Sequence, residues 1–169
     1  MAKYITGAAW YDDIEISQVY NRLYVGGLIQ GSNLGLSNPY GIQAVLDVHT
    51  EATWEIAAGV EYKEAKDIVY AHIPFPDGEE IPAEKFWACM RYLSEQYQQG
   101  RTILIHCAAG VSRSVTIAIS FLVFAHLMDW PEAETEVRQR RSIANPNVRI
   151  LTSAKKLLRI WPYDGSMTR

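Results

Sequence analysis

A cysteine and an arginine lie at the two ends of a short uncharged loop in the stretch HCAAGVSRS, residues 106–114. This stretch continues the apolar run TILIH (102–106), typical of a buried strand, and leads into SVTIAISFLVF (114–124), typical of a buried helix. The loop therefore joins a strand end to a helix start, where open α/β sheets bind their ligands. Backbone N–H groups and the helix dipole favour an anion there, and Arg113 could bind two oxygens of a phosphate.

The side chains of this loop divide into a nucleophile and groups that serve it. Helix N-termini and nearby cations favour the ionised form of a thiol, so we expect Cys107 to carry a thiolate at neutral pH and to attack phosphorus. Ser114 would donate a hydrogen bond to the sulfur and stabilise it as a leaving group. His106 is expected to orient the loop rather than to act as an acid or base. The residues predicted to bind the phosphate are Ala108, Ala109, Gly110, Val111, Ser112 and Arg113.

A proton donor is needed as well, because an alkoxide is a poor leaving group. The segment IPFPDGEEIP (73–82) carries three carboxylates, Asp77, Glu79 and Glu80, between prolines and a glycine. This composition predicts an irregular loop directly after the strand DIVYAHI (67–73). If the strands are parallel, this loop lies at the same end of the sheet as Cys107. The three carboxylates are therefore the candidate acids.

The composition sets limits on compartment and partners. The chain has 169 residues, 49% of them apolar and 21% charged, with a net charge of -3. Nothing in that balance favours nucleic acid or an anionic membrane as a partner, and no run is long enough to span a bilayer. The two cysteines form neither a disulfide framework nor a metal-ligand set, so we expect a reducing, cytoplasmic location, with the nucleus as an alternative. The oligomeric state stays open.

Strand and helix patterns alternate along the chain. Strands are predicted at 22–27, 42–49, 67–75 and 102–106, and helices at 82–99, 113–128, 131–141 and 149–160. This order predicts an α/β fold with a central, mostly parallel sheet of four to five strands and helices on both faces. With no repeat or linker in view, we expect one domain over residues 1–169, with a core of about 15–160.

The loop stretch resembles a known signature. HCAAGVSRS is similar to the active-site sequence of the cysteine-based protein tyrosine phosphatases, and specifically of their small dual-specificity branch. The segments NRLYVGG, GIQAVLDV, IVYAHIPFPDGEE and AETEVRQRRSIANPN are also similar to parts of that domain. The resemblance covers most of the chain and implies a protein tyrosine phosphatase-like fold.

The resemblance also implies residue roles and a substrate. Asp77 matches the family's general acid, which becomes the base in the second step, with Glu79 or Glu80 as the fallback. Arg138 matches an arginine that can contact a second phosphate or an acidic flank of the substrate. The implied substrates are phosphoproteins bearing phosphotyrosine, phosphoserine or phosphothreonine. No cofactor or metal is expected, because the loop and Arg113 supply the charge stabilisation.

Other substrates and functions are also compatible with these residues. A phosphoinositide or an RNA 5′-phosphate could be the substrate, although the uncharged loop AAGVS favours phosphoprotein. A phosphate-binding pseudophosphatase is a further alternative, although such proteins usually lose the cysteine, the arginine or the acid. Cys89 could form a disulfide with Cys107, but a buried structural thiol is the simpler interpretation. Asp47 and His49 could line the site, and the histidines show no metal-ligand spacing.

Overall fold

Five short strands form one sheet in the residues that the computed structural model describes, which are 16–28, 38–50, 67–125 and 127–160. The strands are β1 (Ser17–Tyr20), β2 (Leu23–Gly26), β3 (Ala44–Asp47), β4 (Val69–His72) and β5 (Ile103–His106). Their order is β1-β2-β5-β3-β4, with β1 antiparallel to β2 and all other pairs parallel. β5 is central, and all four of its residues are buried. Its end is therefore held by a strand on either side.

Four helices accompany the sheet in the described part of the chain. They are α1 (Ala83–Gln98), α2 (Arg113–Phe124), α3 (Trp130–Arg140) and α4 (Val148–Arg159). α2 packs against the other three helices and against β2 and β5. This central position explains why its sequence is apolar nearly all round, since a helix surrounded by protein has no polar face to present.

Alternation along the strands divides the core into two clusters, one on each face of the sheet. Ile103 and Ile105 of β5 belong to a cluster with buried residues of the four helices, such as Phe86 and Ile117. Leu104 belongs to the cluster on the opposite face. The buried members of that second cluster are Ile16, Leu28, Ile42, Val45 and Leu104. The described helices thus lie on the first face.

The predicted fold class is confirmed, with differences in detail. The sheet is mostly parallel, and each predicted strand and helix is present with slightly different ends. The expectation of helices on the second face concerns the β2–β3 and β3–β4 connections, which lie largely outside the described residues. Among the described helices, none is long and apolar enough to cross a membrane.

One strand was not predicted, and one helix ends earlier than predicted. β1 was not predicted, because SQVY has a single strongly apolar residue, and its strand state depends on pairing with β2 across the turn at Asn21. α2 ends at Phe124 rather than at 128, because the N–H groups of Leu127 and Met128 both donate to the carbonyl of Leu122 and close the helix. The next helix begins at a capping box between Asp129 and Glu132.

Candidate active site

The loop from Cys107 to Ser112 is held from outside through its carbonyl oxygens. Three of these oxygens accept hydrogen bonds from the scaffold: Ala108 O from Leu28 N (2.9 Å), Gly110 O from Arg141 Nε (2.6 Å) and Val111 O from Asn145 N (2.9 Å). In a trans peptide, the N–H group points opposite to the carbonyl. The N–H groups of the residues that follow each carbonyl are therefore turned away from the scaffold, toward the inside of the loop. N–H groups that face the inside of a loop in this way can bind an anion there.

Gly110 is required at its position by backbone shape and by space. Its φ is +68°, a region that side chains rarely adopt. A Cβ atom there would lie 2.5 Å from the carbonyl carbon and oxygen of Gly26 and 2.5 Å from Nη2 of Arg141. The loop can therefore pack this closely on β2 only with glycine at 110.

The Cys107 sulfur lies inside this loop. The thiol is buried, the N–H of Gly110 points at Sγ over 3.3 Å, and the Ser114 hydroxyl lies 3.2 Å from Sγ. Ser114 is buried in the first turn of α2, so the sulfur also lies beside a helix N-terminus. A negatively charged sulfur would be stabilised by both donors and by the helix dipole. Two residues of the predicted site, Cys107 and Ser114, are thus in direct contact.

Arg113 connects the loop to the segment that carries the candidate acids. Its side chain is only 2% exposed, and Nη1 donates to Thr50 Oγ1 (3.1 Å) and to the carbonyl of Phe75 (3.4 Å). Its Nε lies 4.0 Å from Oδ1 of Asp77. The guanidinium therefore faces Asp77. Within the described residues, neither Glu79 nor Glu80 forms an ion pair with Arg113, and Glu80 pairs with Lys156 instead.

The acid-bearing segment is irregular but anchored. Gly78 has a φ of +74°, and the Gly78 N–H donates to Oδ1 of Asp77 (2.9 Å). The segment is tied to α4 where the N–H of Ile81 donates to Ser153 Oγ (2.9 Å). The Asp77 side chain is 58% exposed, so a substrate arriving from solvent can reach it.

Comparison with known proteins agrees with this geometry. Residues 23–156, well over half of the chain, match the family described as Dual specificity phosphatase, catalytic domain. The chain belongs to this family. It is 29% identical over 147 residues to Dual specificity protein phosphatase 1 of Arabidopsis thaliana, covering 86% of this chain and 70% of that protein. It is 36% identical over 133 residues to mouse Dual specificity protein phosphatase 15, covering 78% of this chain and 53% of that protein.

Among solved structures, the chain is similar to a human tyrosine phosphatase-like serine/threonine/tyrosine-interacting protein. The TM-score is 0.70 at 20% identity, with 86% of this chain and 97% of that chain covered. At that identity the likeness shows the fold alone. The expected enzyme class, a dual-specificity protein phosphatase, is confirmed by the family and by the curated relatives. The individual residue roles remain predictions.

The loop from Cys107 to Ser112, called the phosphatase loop below, is also held by Arg141, which was not predicted from the sequence to be part of the site. Arg141 is 1% exposed; besides its bond to Gly110, its Nη1 donates to Ser17 Oγ (3.0 Å) and to the carbonyl of Val25 (3.2 Å). Burial lowers its pKa to about 10, and the charge of Cys107 opposes that shift. Arg138, which was predicted to bind substrate, is exposed and donates to the carbonyl of Ala144 (3.2 Å).

The spacing of the buried residues in α3 indicates that Arg141 is buried too. Ala133 and Val137 are the buried residues of α3, and Arg141 follows at the same interval of four. Arg141 therefore continues the buried face, whereas Arg138 and Arg140 lie off it. The predicted contact of Arg138 with substrate stays a prediction.

His106 lies behind the phosphatase loop, as predicted for an orienting residue. It is fully buried, and Nδ1 lies 3.3 Å from the carbonyl of Cys107 and 3.8 Å from Oδ1 of Asp47. Burial lowers the pKa of His106, although the nearby Asp47 raises it. The ring is therefore held neutral, which suits a structural role better than an acid–base role.

Cys89 is a buried thiol on α1, and both it and Cys107 are free in the structure. Burial raises the pKa of Cys89 to about 12. At neutral pH it is therefore protonated and a poor partner for thiol–disulfide exchange, which depends on the thiolate. This supports the interpretation of Cys89 as a structural thiol.

Proposed function

We propose that this phosphatase domain hydrolyses phosphotyrosine, phosphoserine and phosphothreonine monoesters of proteins through a phosphocysteine on Cys107, without a catalytic metal ion. The observation that carries the proposal is the Cys107 sulfur, which lies between the N–H of Gly110 and the Ser114 hydroxyl, inside a loop whose carbonyls are held outward. A thiolate in this position is aimed at the centre of a bound phosphate.

In the first step, the Cys107 sulfur forms a bond to phosphorus as the ester P–O bond breaks. Arg113 and the loop N–H groups hold the non-bridging oxygens, whose charge is spread in the transition state. Asp77 gives its proton to the departing alkoxide or phenolate oxygen, so that the product leaves as the neutral alcohol.

In the second step, a water oxygen bonds to phosphorus as the S–P bond breaks. Asp77, now a carboxylate, takes a proton from that water, and inorganic phosphate leaves. The Ser114 hydroxyl, 3.2 Å from Sγ, donates a hydrogen bond to the sulfur as its negative charge returns. The loop residues Ala108, Ala109, Gly110, Val111 and Ser112 serve both steps through their backbone.

No metal ion is required for these steps, because the buried guanidinium of Arg113 and the helix N-terminus provide the positive potential that phosphoryl transfer needs. The uncharged side chains of AAGVS favour a phosphoprotein over a phosphoinositide or an RNA phosphate. A cytoplasmic location, with the nucleus as the alternative, stays a prediction, as does the absence of nucleic-acid or membrane partners.

The test is phosphate release from matched phosphotyrosine and phosphothreonine peptides in EDTA, with phosphoinositide and RNA 5′-phosphate assayed in parallel. The proposal expects release from both peptides, and loss of that release in Cys107→Ser. Release only from the lipid or the RNA would replace the phosphoprotein assignment. Binding of phosphate analogues without release from any substrate would support a pseudophosphatase instead.

The acid is tested by Asp77→Asn, with Glu79→Gln and Glu80→Gln as matched controls on the same segment. We expect the Asp77 variant to lose about 10²- to 10³-fold in kcat on phosphothreonine, and less on an aryl phosphate with a good leaving group, which needs no proton. Full activity of Asp77→Asn, with loss in Glu79→Gln or Glu80→Gln, would move the role to that residue.

A further inference from the structure

The segment that leaves β3 is fixed by hydrogen bonds to both neighbouring strands. Its first residue, Asp47, is fully buried, and its carbonyl accepts from the N–H of Ile73, which directly follows β4 (2.8 Å). The N–H of Val48 donates to the carbonyl of His106, the last residue of β5 (2.9 Å). Residues 47–50 therefore leave the sheet in a fixed direction, beside the strand end that carries the phosphatase loop.

Side chains fix the following part of this segment. The Asp47 carboxylate accepts from the N–H of His49 (3.0 Å) and from the Tyr70 hydroxyl (2.8 Å). Nε2 of His72 lies 2.9 Å from the carbonyl of His49. The backbone directly before Thr50 is thus held at both its N–H and its carbonyl, and this sets where Thr50 lies.

Thr50 places its hydroxyl against the side chain of Arg113. Nη1 of Arg113 donates to Thr50 Oγ1 (3.1 Å) and to the carbonyl of Phe75 (3.4 Å). Since Nη1 carries two hydrogens, these two acceptors can engage both of them. Phe75 lies two residues before Asp77, so the same nitrogen joins the segment after β3 to the acid-bearing segment.

The acceptors on Nη1 determine which edge of the guanidinium is presented to a phosphate. In a planar guanidinium, the Nε–H and one N–H of Nη2 lie parallel on one edge, and this edge can bind two oxygens at once. Nη1 lies away from that edge. Nε lies 4.0 Å from Oδ1 of Asp77, so the edge is turned toward the residue proposed to protonate the leaving group.

An arginine held in this way should bind an anion more tightly than a free one. Arginine has a long side chain with many rotamers, and it loses that freedom when it binds phosphate. A guanidinium that Thr50 already holds has lost much of this freedom beforehand, so binding costs less. Arg113 is also only 2% exposed, so removal of an acceptor would leave a buried donor unsatisfied. The Thr50 hydroxyl should therefore strengthen phosphate binding through Arg113.

We propose that Thr50 is a positioning residue of the active site, whose hydroxyl holds Arg113 in the orientation that binds the phosphoryl group of the substrate. Asp47 acts one step further back, because its carboxylate holds the backbone that leads to Thr50. The inference rests on the proposed phosphate-binding role of Arg113. It adds that a segment outside the phosphatase loop and the acid-bearing segment sets the orientation of this arginine.

The test is calorimetric titration of tungstate into the Cys107→Ser protein. Tungstate is a tetrahedral oxyanion like phosphate, and its binding needs no turnover. We expect added Thr50→Val to weaken binding about fivefold or more, and added Thr50→Ser, which keeps the hydroxyl, to change it less than about twofold. Thr50 is exposed, so neither substitution disturbs the core. Thr135→Val is the matched control, because it removes a hydroxyl that donates to the carbonyl of Pro131 within α3, and it should leave the affinity unchanged.

A double-mutant cycle separates the positioning of Arg113 from a general loss of structure. Lysine carries a compact ammonium without a planar fork to orient. In Cys107→Ser with Arg113→Lys, added Thr50→Val should therefore change tungstate affinity by less than about twofold. A loss as large as that in the arginine protein would overturn the positioning role, and so would unchanged affinity in Cys107→Ser with Thr50→Val. Absence of tungstate binding in Cys107→Ser alone would instead overturn the proposed phosphate-binding role of Arg113, and this inference with it.

Discussion

Arg141 donates from Nε to the carbonyl oxygen of Gly110 over 2.6 Å, and this bond joins the end of α3 to the loop from Cys107 to Ser112. The same guanidinium holds Ser17 of β1 and the carbonyl of Val25 in β2. One buried side chain therefore fixes the loop relative to the antiparallel edge of the sheet. It touches no reacting atom, so it is a positioning residue.

Replacing this arginine should weaken both fold and function. Arg141→Met leaves two buried carbonyls without their donor, and we expect a loss of about 3 kcal/mol in the free energy of unfolding in urea. We also expect weaker vanadate binding, because Gly110 O is no longer held outward. Arg140→Met is the control: Arg140 is 54% exposed and pairs with Glu136 in the same helix, so a change within about 0.5 kcal/mol is expected. Equal effects of the two substitutions would contradict the positioning role.

Gly110→Ala should disable the loop by steric conflict. Gly41 offers a matched control, because its φ is +65° but a Cβ atom there would meet nothing within 4 Å. Gly41→Ala should therefore cost only backbone strain, about 1 kcal/mol. Gly110→Ala carries the same strain plus the 2.5 Å contacts with Gly26, and we expect a larger loss in urea unfolding together with lost phosphatase activity. If both variants lose the same stability and retain activity, the close packing of the loop on β2 is unimportant.

Ser114→Ala should slow the second chemical step more than the first. In the proposed mechanism, the hydroxyl 3.2 Å from Sγ stabilises the sulfur mainly when it leaves, so hydrolysis of the phosphoenzyme should become rate-limiting in the variant. We expect kcat to fall on the order of tenfold or more, with a burst of alcohol product in rapid-quench experiments. Ser120→Ala is the same substitution in the same helix, at a hydroxyl bonded to the carbonyl of Thr116, and should show no burst.

Because His106 resists protonation in the folded state, the fold should become less stable in mild acid. Because burial lowers its pKa, the unfolded chain binds more protons than the folded chain once the pH falls below the ordinary histidine value near 6.5. The free energy of unfolding should therefore fall with decreasing pH, by up to about 1.4 kcal/mol per pH unit. Three titratable groups face the His106 ring: Asp47, His49 and His72. Asp47 stays ionised in mild acid, because its pKa is about 2.

The measurement is the urea midpoint between about pH 7 and about pH 5.5, where histidine titrates. His106→Asn keeps a donor near Nδ1 but cannot take up the proton, so its profile should be flatter than that of the parent. Parallel profiles for the two proteins would show that His106 does not titrate differently in the folded and unfolded states.

Much of the fold follows from local patterns in the sequence. TILIH and IQAVLDVH are short, apolar and β-branched, so they form the buried parallel strands β5 and β3. The loop after TILIH is equally local, and its cysteine, serine and arginine lie where the strand–loop–helix order places them. By contrast, β1 depends on a partner strand and was missed.

Two features of the molecule were not predicted, for different reasons. Arg138 and Arg141 both lie in the basic segment VRQRR. Arg141 is buried because it continues the face of Ala133 and Val137, whereas Arg138 lies off that face and is exposed. Asp47, His49 and His72 come from two separate segments of the chain. They converge because β3 and β4 pair in parallel with Asp47 opposite His72, a register that the sequence alone does not specify.

In the proposed mechanism, a phosphoryl group passes through the sulfur of Cys107. The most direct measurement is acid quench of the enzyme during turnover of a phosphotyrosine peptide in EDTA, followed by mass spectrometry of the peptide containing residue 107. We predict one phosphoryl group on Cys107, a larger trapped fraction in Ser114→Ala, and none in Cys107→Ser. Phosphate release that continues in Cys107→Ser, or a wild-type enzyme that turns over with the phosphoryl group found on another residue, would contradict it.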